Sequence, residues 1–491
     1  MTNSIYFEVY WIDNKKNKKG GLAVQLPQED DISPGDRIKD LTSAARDLDL
    51  PEGLRLRTEM LVSPPPGTDP KPLNDYLWAD DACNLERFKR HILRMLSGKK
   101  LHKFLPRPGT PVQGPDLIDR EQKVSMLLEK IKKGISCHLR APRRYGKTSL
   151  LMRLKDDCEN AVFIEISDAG STTGFLKALL KGAMRHKSGY TCLAELKEYK
   201  SWPGPDSSPD AEMFNNAFND LIQNKSASMN NMIMKAFTAL ADGGIVLLID
   251  EFSVFLREMQ EKNEEELKNF LRILKEIRTR EKMPLPCIFA GSSGLSTYIE
   301  FYGLKELFDD LESVDIPPIS EQDARILAEE LFYGMGKLPG LPVIDRIVTL
   351  TGKKDSIPYF IHALAHETSA EAGTRKALTE NDVQNAYYDR LLGPTGNIFF
   401  RDFLLREKAY PKPCRPCASA VLKALSCGFP KPFPEKELRA MFTPECEYEK
   451  LITCLEEDYD LVKSEGSYRM RSKVLADRWR LGEPWLTQGA E

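Results

Sequence analysis

The sequence predicts an α/β protein in which a parallel sheet is flanked by helices, and three observations support this fold class. First, strand patterns alternate with helical patterns beyond about residue 112, which is typical of a parallel sheet with helices on both faces. Second, a Gly-Lys-Thr turn lies between a predicted strand and a predicted helix. Third, the most apolar strand pattern ends in two adjacent acids.

The length and charge of the chain limit the class of protein. Its 491 residues exceed the usual domain size of about 100 to 200 and suffice for about three or four domains. Its 70 basic and 73 acidic residues give no global field toward nucleic acid or an anionic membrane. No stretch approaches the roughly 20 apolar residues that cross a bilayer, and the start lacks the apolar core of a secretory signal. We expect a cytoplasmic protein with no membrane partner.

The N-terminal part reads as a separate domain. Strand alternation occurs at 6–12 and 54–62, and a helical stretch at 85–96 leads to a connector with four spaced prolines near residue 110. This part carries no chemical motif, so the sequence does not define its role. The predicted domains are an N-terminal α+β domain at 1–110, a sheet domain at 111–300, a helical lid at 301–400 and a winged helix at 410–485.

The elements of the later domains follow from periodicity. A helix at 120–133 precedes a strand at 136–140, and further strands are predicted at 162–166, 245–249 and 286–290. Apolar residues at helical spacing predict a single helix over 256–282. The lid is helical throughout, with Ser320 followed by Asp323 as a cap signal. Beyond residue 418 three helices precede a hairpin at Gly466, which is the order of a winged helix.

The turn after the strand at 136–140 has the pattern of a phosphate-binding loop, or P-loop. Backbone N–H groups in such a turn, and at the N-terminus of the following helix, point at the anion. Lys147 would add a positive charge on the outer phosphates of ATP, and the Thr148 hydroxyl would ligate Mg²⁺. The predicted nucleotide-binding residues are Ala141, which replaces the usual first glycine, Pro142, Arg143, Arg144, Tyr145, Gly146, Lys147, Thr148 and Ser149.

Acidic and hydroxyl side chains follow two other strands. Asp250 and Glu251 end the apolar strand at 245–249, at the sheet edge where ligands of parallel sheets bind. Asp250 is predicted to hold the Mg²⁺ hydration shell, and Glu251 to polarise a water that attacks the γ-phosphate. Ser292 follows the strand at 286–290. It is predicted either to contact the γ-phosphate or this water, or to belong to an ordinary turn of small residues.

Two arginines near the end of the 256–282 helix have two interpretations. Arg278 and Arg280 would complement the helix dipole. The alternative is an arginine finger that reaches a neighbouring subunit.

Histidines and cysteines also form pairs, which we interpret as structural. His362 and His366 stand at helical spacing with Glu367, but the order differs from that of helical zinc proteases. Cys414 and Cys417 form a single Cys-x-x-Cys pair without a matching second pair, which favours ordinary thiols over a zinc site.

These motifs resemble those of the STAND P-loop ATPases, in particular the archaeal-type branch, which is related to the AAA+ proteins. The resemblance covers about residues 112–482, and residues 1–110 lie outside it. It rests on the P-loop and the acidic strand and on shorter matches elsewhere. These are Asp119-Arg120-Glu121, Gly291-Ser292, Pro317-Pro318-Ile319-Ser320-Glu321, and Gly352 with Pro358-Tyr359.

The resemblance implies an ATP-driven switch that couples nucleotide state to oligomerisation or signalling. It implies ATP and Mg²⁺ as cofactors, a homo-oligomer or a partner protein, and a winged helix that serves as an intramolecular latch. Acidic residues in and around the third helix of the predicted winged helix favour the latch over DNA binding, because they would repel DNA phosphates. They are Glu445, Glu447, Glu449, Glu456, Glu457 and Asp458.

Two alternatives remain. A DNA-handling ATPase of the replication-initiator or transposition-helper type would bind duplex DNA through the basic residues of the hairpin and last helix. They are Arg469, Arg471, Lys473, Arg478 and Arg480. A small-molecule kinase would need the P-loop but neither the adjacent acids, the lid nor the winged helix.

Overall fold

A computed structural model of the protein describes sixteen stretches of the chain. They are residues 5–12, 18–26, 55–61, 71–72, 105–112, 117–118, 120–196, 199, 211–223, 228–291, 295, 298–299, 302–337, 339–405, 410–459 and 461–481. The chain divides into two compact units. The first contains 1–105, 329–345 and 372–380, and the second contains 106–328, 346–371 and 381–491. None of the helices in these stretches has the length and apolar character that crossing a bilayer requires.

The first unit contains a four-stranded sheet. β1 (Ile5–Ile12) lies between β2 (Lys18–Leu26) and β3 (Arg55–Leu61), antiparallel to both, and β4 (Lys71–Pro72) extends β2 in parallel. The strands predicted at 6–12 and 54–62 correspond to β1 and β3. β2 was not predicted, because glycines weaken its alternating pattern. The helix predicted at 85–96 lies outside the described residues.

The second unit contains a five-stranded sheet, and all of its strands are parallel. They are β5 (Cys137–Arg140), β6 (Ala161–Glu165), β7 (Val246–Asp250), β8 (Cys287–Phe289) and β9 (Glu312–Asp315), in the spatial order β6-β7-β8-β5-β9. The predicted α/β class is therefore confirmed. β9 was not predicted, because it is short and buries a single side chain, which leaves no apolar pattern to read.

Helices connect the strands of this sheet. They are α1 (Glu121–Lys132), α2 (Lys147–Asp157), α3 (Thr172–Met184), α4 (Lys187–Ala194), α5 (Ala211–Gln223), α6 (Met229–Asp242), α7 (Phe252–Lys262) and α8 (Glu264–Arg278). The prediction of one helix over 256–282 is wrong. Asn263 has extended backbone, and its side chain accepts a hydrogen bond from Glu266 N, so it ends α7 and caps α8.

Fully buried aromatic rings join these helices to the sheet. Phe175 of α3 lies 4.7 Å from Phe270 of α8 between ring centroids, and Phe252 lies 4.6 Å from Phe289 of β8. The second contact fixes the start of α7 against β8, next to the strand ends where the candidate site lies.

The remaining helices follow the sheet. They are α9 (Glu321–Gly334), α10 (Leu341–Thr351), α11 (Pro358–Glu371), α12 (Glu380–Asn385) and α13 (Asn397–Leu405), with a π-helical turn Ala386–Leu391. The predicted cap at Ser320 is present, because its hydroxyl accepts a hydrogen bond from Asp323 N over 3.0 Å.

The C-terminal segment has the predicted order of three helices and a hairpin. It contains α14 (Cys414–Gly428), β10 (Phe433–Pro434), α15 (Glu435–Arg439), α16 (Tyr448–Tyr459), β11 (Leu461–Ser464), β12 (Ser467–Met470) and α17 (Lys473–Arg480). β12 pairs with both β10 and β11. Gly466 has a φ of 73°, which suits the tight turn of the hairpin.

Candidate nucleotide-binding site

The loop between β5 and α2 has the backbone that an anion site needs. Gly146 caps α2 with a φ of 90°, a left-handed conformation that favours glycine. A Cβ at this position would meet no atom within 4 Å, so backbone conformation rather than space selects glycine. Ala141 is absent from the described residues with positive φ, so alanine fits where the usual pattern has glycine. Gly146 and the first residues of α2 line the cavity described below, and the N–H groups of a helix N-terminus favour an anion.

Lys147 is the first residue of α2, and it is only 7% exposed. Its Nζ donates hydrogen bonds to the carbonyl oxygens of Ala141 at 2.6 Å and Pro142 at 2.9 Å. These bonds hold a buried ammonium group over the loop. The structure therefore provides a fixed positive charge where the motif predicts contact with phosphate.

The next residue connects the loop to the acidic strand. Thr148 Oγ1 donates a hydrogen bond to Asp250 Oδ2 over 2.7 Å. Burial raises the pKa of Asp250 above its usual value, and the hydrogen bond from Thr148 opposes this shift. The pair presents hydroxyl and carboxylate oxygens, which are the donors that Mg²⁺ prefers. Within the described ranges no cluster of three or more His, Cys, Asp or Glu is suited to hold a metal alone. In nucleotide sites Mg²⁺ takes phosphate oxygens and water as its other ligands.

Glu251 and Gly291 lie at the same edge of the sheet. Glu251 caps α7 with a φ of 59°, a left-handed backbone that is uncommon for a residue with a side chain. A Cβ at Gly291 would lie 2.4 Å from Ser253 Oγ, so the close approach of α7 requires glycine there. Ser292, which the sequence predicts as a further contact, lies outside the described residues.

One cavity of about 510 Å³ contains all of the other predicted catalytic and metal residues. Basic side chains along its wall outnumber acidic ones, which suits a polyphosphate anion. The basic ones are Arg107, Arg120, Arg143, Arg144 and Lys147, and the acidic ones are Glu165, Asp250 and Glu251. Apolar residues, including Ile118, Ile319 and Tyr359, form another part of the wall.

The connector before α1 lines this cavity, a feature that no sequence motif indicates. Val112 N donates to Ser149 Oγ at 3.0 Å, and Arg107 N donates to His362 Nδ1 at 3.3 Å. Burial lowers the pKa of His362 to about 4, and Arg107 contributes to the shift. The imidazole is therefore neutral at pH 7, as an acceptor must be.

Arg144 joins the P-loop to the connector and to α11. Its guanidinium donates to Gly109 O at 3.2 Å and lies 4.7 Å from the ring centroid of Tyr359. Arg144 also has a φ of 71°, so the loop is left-handed here as well as at Gly146.

Arg120, from the Asp119-Arg120-Glu121 motif, is buried and contacts two separate segments of the chain. Its guanidinium donates to the carbonyl oxygens of Tyr145 at 3.4 Å and Pro317 at 3.2 Å. These bonds connect the P-loop to the segment that precedes α9.

Arg278 lies in the last turn of α8, as the dipole interpretation requires, and it is also part of the protein interior. Its side chain is fully buried and makes a two-bond ion pair with Asp310, both at 2.9 Å. Arg280 is half-exposed and pairs with Asp242 at 3.1 Å. Both guanidiniums thus have acidic partners within the chain.

The two histidines lie in different surroundings, whereas the two cysteines of the Cys-x-x-Cys pair lie together. His366 is exposed and contacts Glu367, so it does not share a site with buried His362. Cys414 and Cys417 are buried thiols at the start of α14.

A further cavity residue, Glu165, emerges from the register of the sheet. It ends β6 directly opposite Asp250 of β7. The sequence pattern at 162–166 predicts a strand but does not show which strand pairs with it. The proximity of Glu165 to Asp250 therefore could not be predicted.

The chain matches no protein-family model and no curated protein sequence. Its structure is similar to the Walker-type ATPase PABY2304 of Pyrococcus abyssi, with 15% identity, a TM-score of 0.53, and coverage of 77% of this chain and all of that one. It is also similar to the ORC2 protein of Aeropyrum pernix, with 12% identity, a TM-score of 0.41, and coverage of 78% and 98%. A third likeness is the RuvB Holliday junction branch migration motor of Thermotoga maritima, with 13% identity, a TM-score of 0.37, and coverage of 75% and 95%.

The likeness to the Pyrococcus abyssi protein, together with the parallel five-stranded sheet, shows a P-loop NTPase fold. At 15% identity it defines the fold alone, and likenesses with TM-scores below 0.5 add nothing to it.

Proposed function

We propose that the protein is a Mg²⁺-dependent ATPase that works as a switch. In this proposal nucleotide state governs assembly with a second copy or with a partner protein. The observation that carries the proposal is the hydrogen bond from Thr148 to Asp250. It joins the P-loop to the acidic strand across 102 residues of chain, as a shared site for phosphate and Mg²⁺ requires.

Each residue of the site has a proposed role. Lys147 and the N-terminus of α2 bind the outer phosphates of ATP. Thr148 Oγ1 keeps lone pairs for Mg²⁺ while its hydrogen faces Asp250, and Asp250 holds water of the hydration shell. When bound, Mg²⁺ would neutralise charge on the phosphates. Asp250, ionised, also fixes the Thr148 hydroxyl in this orientation.

Glu251 is proposed as the general base of hydrolysis. Its carboxylate accepts a proton from the water whose oxygen forms a bond to the γ-phosphorus. The bond between that phosphorus and the β–γ bridging oxygen breaks, which yields ADP and phosphate. Ser292 remains a predicted contact to the γ-phosphate or to this water.

The C-terminal segment supports the switch over DNA binding. We interpret it as a winged helix that latches onto the lid, and its basic side chains already have partners in the chain. Arg469 and Arg471 lie 3.6 and 4.0 Å from Asp355, which is in the lid between α10 and α11. Arg478 is buried and donates to Leu392 O at 2.6 Å.

The other two basic residues of this set are also engaged. Lys473 pairs with Asp477, and Arg480 donates to the carbonyl oxygens of Ser426 at 3.1 Å and Phe429 at 3.2 Å. A DNA phosphate would have to compete with each of these contacts. The latch thus uses the charges on which DNA binding would depend.

Hydrolysis of ATP by the purified protein with Mg²⁺ tests this proposal, run with and without duplex DNA while light scattering reports mass. Turnover that is indifferent to DNA but changes with assembly supports the switch. If duplex DNA stimulates turnover, the DNA-handling ATPase becomes the favoured function instead of the switch. Transfer of the γ-phosphate to a small molecule, without hydrolysis, would replace it by a kinase.

A further inference from the structure

Glu165 occupies a defined position beside the proposed Mg²⁺ site. The parallel ladder between β6 and β7 pairs Glu165 with Asp250, and Ile166 N donates to Asp250 O at 3.3 Å. Neighbouring strands lie about 4.8 Å apart. The backbone of Glu165 is therefore one strand spacing from that of the acid that contacts Thr148.

The side chain of Glu165 faces the cavity. Side chains alternate along a strand, so Glu165 shares a face with Phe163, and both line the cavity. Met152 of α2 lines it as well. Glu165 thus points to the same side of the sheet as the P-loop helix.

A hydrogen bond from a nearby serine orients the carboxylate of Glu165. Ser167 Oγ donates to Glu165 Oε1 over 2.8 Å. A carboxylate has four lone-pair sites, so this bond leaves capacity on both oxygens. Glu165 is exposed within the cavity and can hold water.

We propose that Glu165 is a positioning residue of the Mg²⁺ site, which holds a water of the ion's hydration shell beside Asp250. This inference rests on the proposed function and deepens it. Mg²⁺ keeps several waters in protein sites, and an acid one strand away is placed to accept their protons in hydrogen bonds.

The proposal predicts effects of opposite sign with and without the metal. A carboxylate in the cavity repels the triphosphate when no metal is present, because both are anionic. With Mg²⁺ bound, the same carboxylate stabilises the hydrated ion. Removal of its charge should therefore strengthen metal-free binding of ATP and weaken binding of Mg²⁺-ATP. A residue that only supports the fold would change both affinities in the same direction.

The experiment measures the affinity of a fluorescent ATP analogue in excess Mg²⁺ and in EDTA, for the full-length protein and for Glu165→Gln. The ratio of the affinity in Mg²⁺ to the affinity in EDTA should be about 10-fold lower in Glu165→Gln than in the wild type. This is the lower end of the usual effect of residues that contact a metal's ligands. Ser167→Ala should lower it by less, because the carboxylate remains. Asp168→Asn is the matched control, since Asp168 is exposed near the same strand end but does not line the cavity. Its ratio should equal that of the wild type.

The outcomes separate this inference from the proposed function. Wild-type affinity that falls in EDTA, with an unchanged ratio in Glu165→Gln, would overturn the role of Glu165 alone. A wild-type protein that binds no analogue under either condition would overturn the proposed function itself. Manganese in place of Mg²⁺ provides a second readout, because its paramagnetic resonance spectrum reports bound ion directly. Weaker Mn²⁺-nucleotide binding in Glu165→Gln supports the role, and equal binding overturns it.

Discussion

Thr148 Oγ1 and Asp250 Oδ2 lie 2.7 Å apart and share a hydrogen bond, although the two residues are 102 positions apart in the chain. The bond exists because β7 ends at the sheet edge toward which the N-terminus of α2 points. Asp250 is 4% exposed, and a buried carboxylate needs such a partner. The proposed nucleotide chemistry depends on this contact, since it brings the phosphate loop and the acids together.

The first prediction concerns Glu251. Glu251→Gln should retain ATP binding and reduce turnover by about 100-fold or more, since general bases contribute roughly 10²–10⁴-fold. Glutamine keeps the size of the side chain but cannot accept a proton from water. Steady-state hydrolysis and nucleotide affinity, measured on the same preparation, check this result. Glu261→Gln, exposed in the same helix, serves as the control. Normal turnover in Glu251→Gln would remove the role assigned to Glu251.

The second prediction concerns Arg278. Arg278→Ala should lower the free energy of unfolding by about 3–5 kcal/mol, because it leaves Asp310 partly buried without its cation. Arg278 also lies 5.4 Å from the ring centroid of Phe289, which would lose this contact. Denaturant unfolding measures the loss, and half-exposed Arg280→Ala should stay within about 0.5 kcal/mol. Unchanged stability with a large loss of hydrolysis would instead indicate an arginine finger.

The third prediction concerns the proposed latch. Asp355→Asn should loosen the β11–β12 hairpin, because Arg469 and Arg471 lose their shared acidic partner. Partly exposed pairs of this kind contribute up to about 1 kcal/mol, so hydrogen exchange in the hairpin should rise about fivefold. Exposed Asp389→Asn, in the π-helical turn Ala386–Leu391, is the control. Equal exchange in both variants would show that these pairs do not hold the hairpin.

The fourth prediction concerns pH and His362. Its pKa is lowered from 6.5 to about 4 by burial, so the unfolded chain binds a proton more readily than the folded one. Stability that is fully present above pH 6.5 is therefore lost as the pH falls toward 4, by about 3 kcal/mol at most. His138, with a pKa of about 4, acts in the same direction.

His362→Asn isolates the contribution of His362, because asparagine accepts a hydrogen bond from Arg107 N without titrating. Its unfolding free energy should depend less steeply on pH between 6.5 and 4 than that of the wild type. Denaturant unfolding across this range measures the slope, with exposed His366→Asn as the control. Identical slopes in both variants would contradict burial of a neutral His362.

Local patterns in the sequence suffice for much of the fold. The P-loop, the acidic strand and the hairpin at Gly466 are each defined by a short contiguous stretch of sequence. Each lies where the sequence pattern predicts it. The break at Asn263 was missed because the apolar spacing continues across it, while the cap depends on one side-chain hydrogen bond. β9 was missed because its pairing with β5, rather than its own apolar content, makes it a strand.

Contacts between distant residues could not be read from the sequence. Glu165 becomes a neighbour of Asp250 only through the register of β6 and β7. The contact of Arg107 N with His362 spans 255 positions and involves no motif. The sequence predicts the place of Arg278 in the last turn of a helix but not its ion pair with Asp310. In each case the tertiary arrangement, and not the local pattern, determines the partner.

The measurement that tests the central claim most directly is calorimetric titration of ATP, with Mg²⁺, into the wild type, Lys147→Ala and Lys155→Ala. Lys147 is buried and lines the cavity, whereas Lys155 is exposed on the same helix. We predict that ATP binds the wild type and Lys155→Ala equally and that Lys147→Ala loses binding by at least about 100-fold. Equal binding by Lys147→Ala, or no binding by the wild type, would contradict a nucleotide site at this loop.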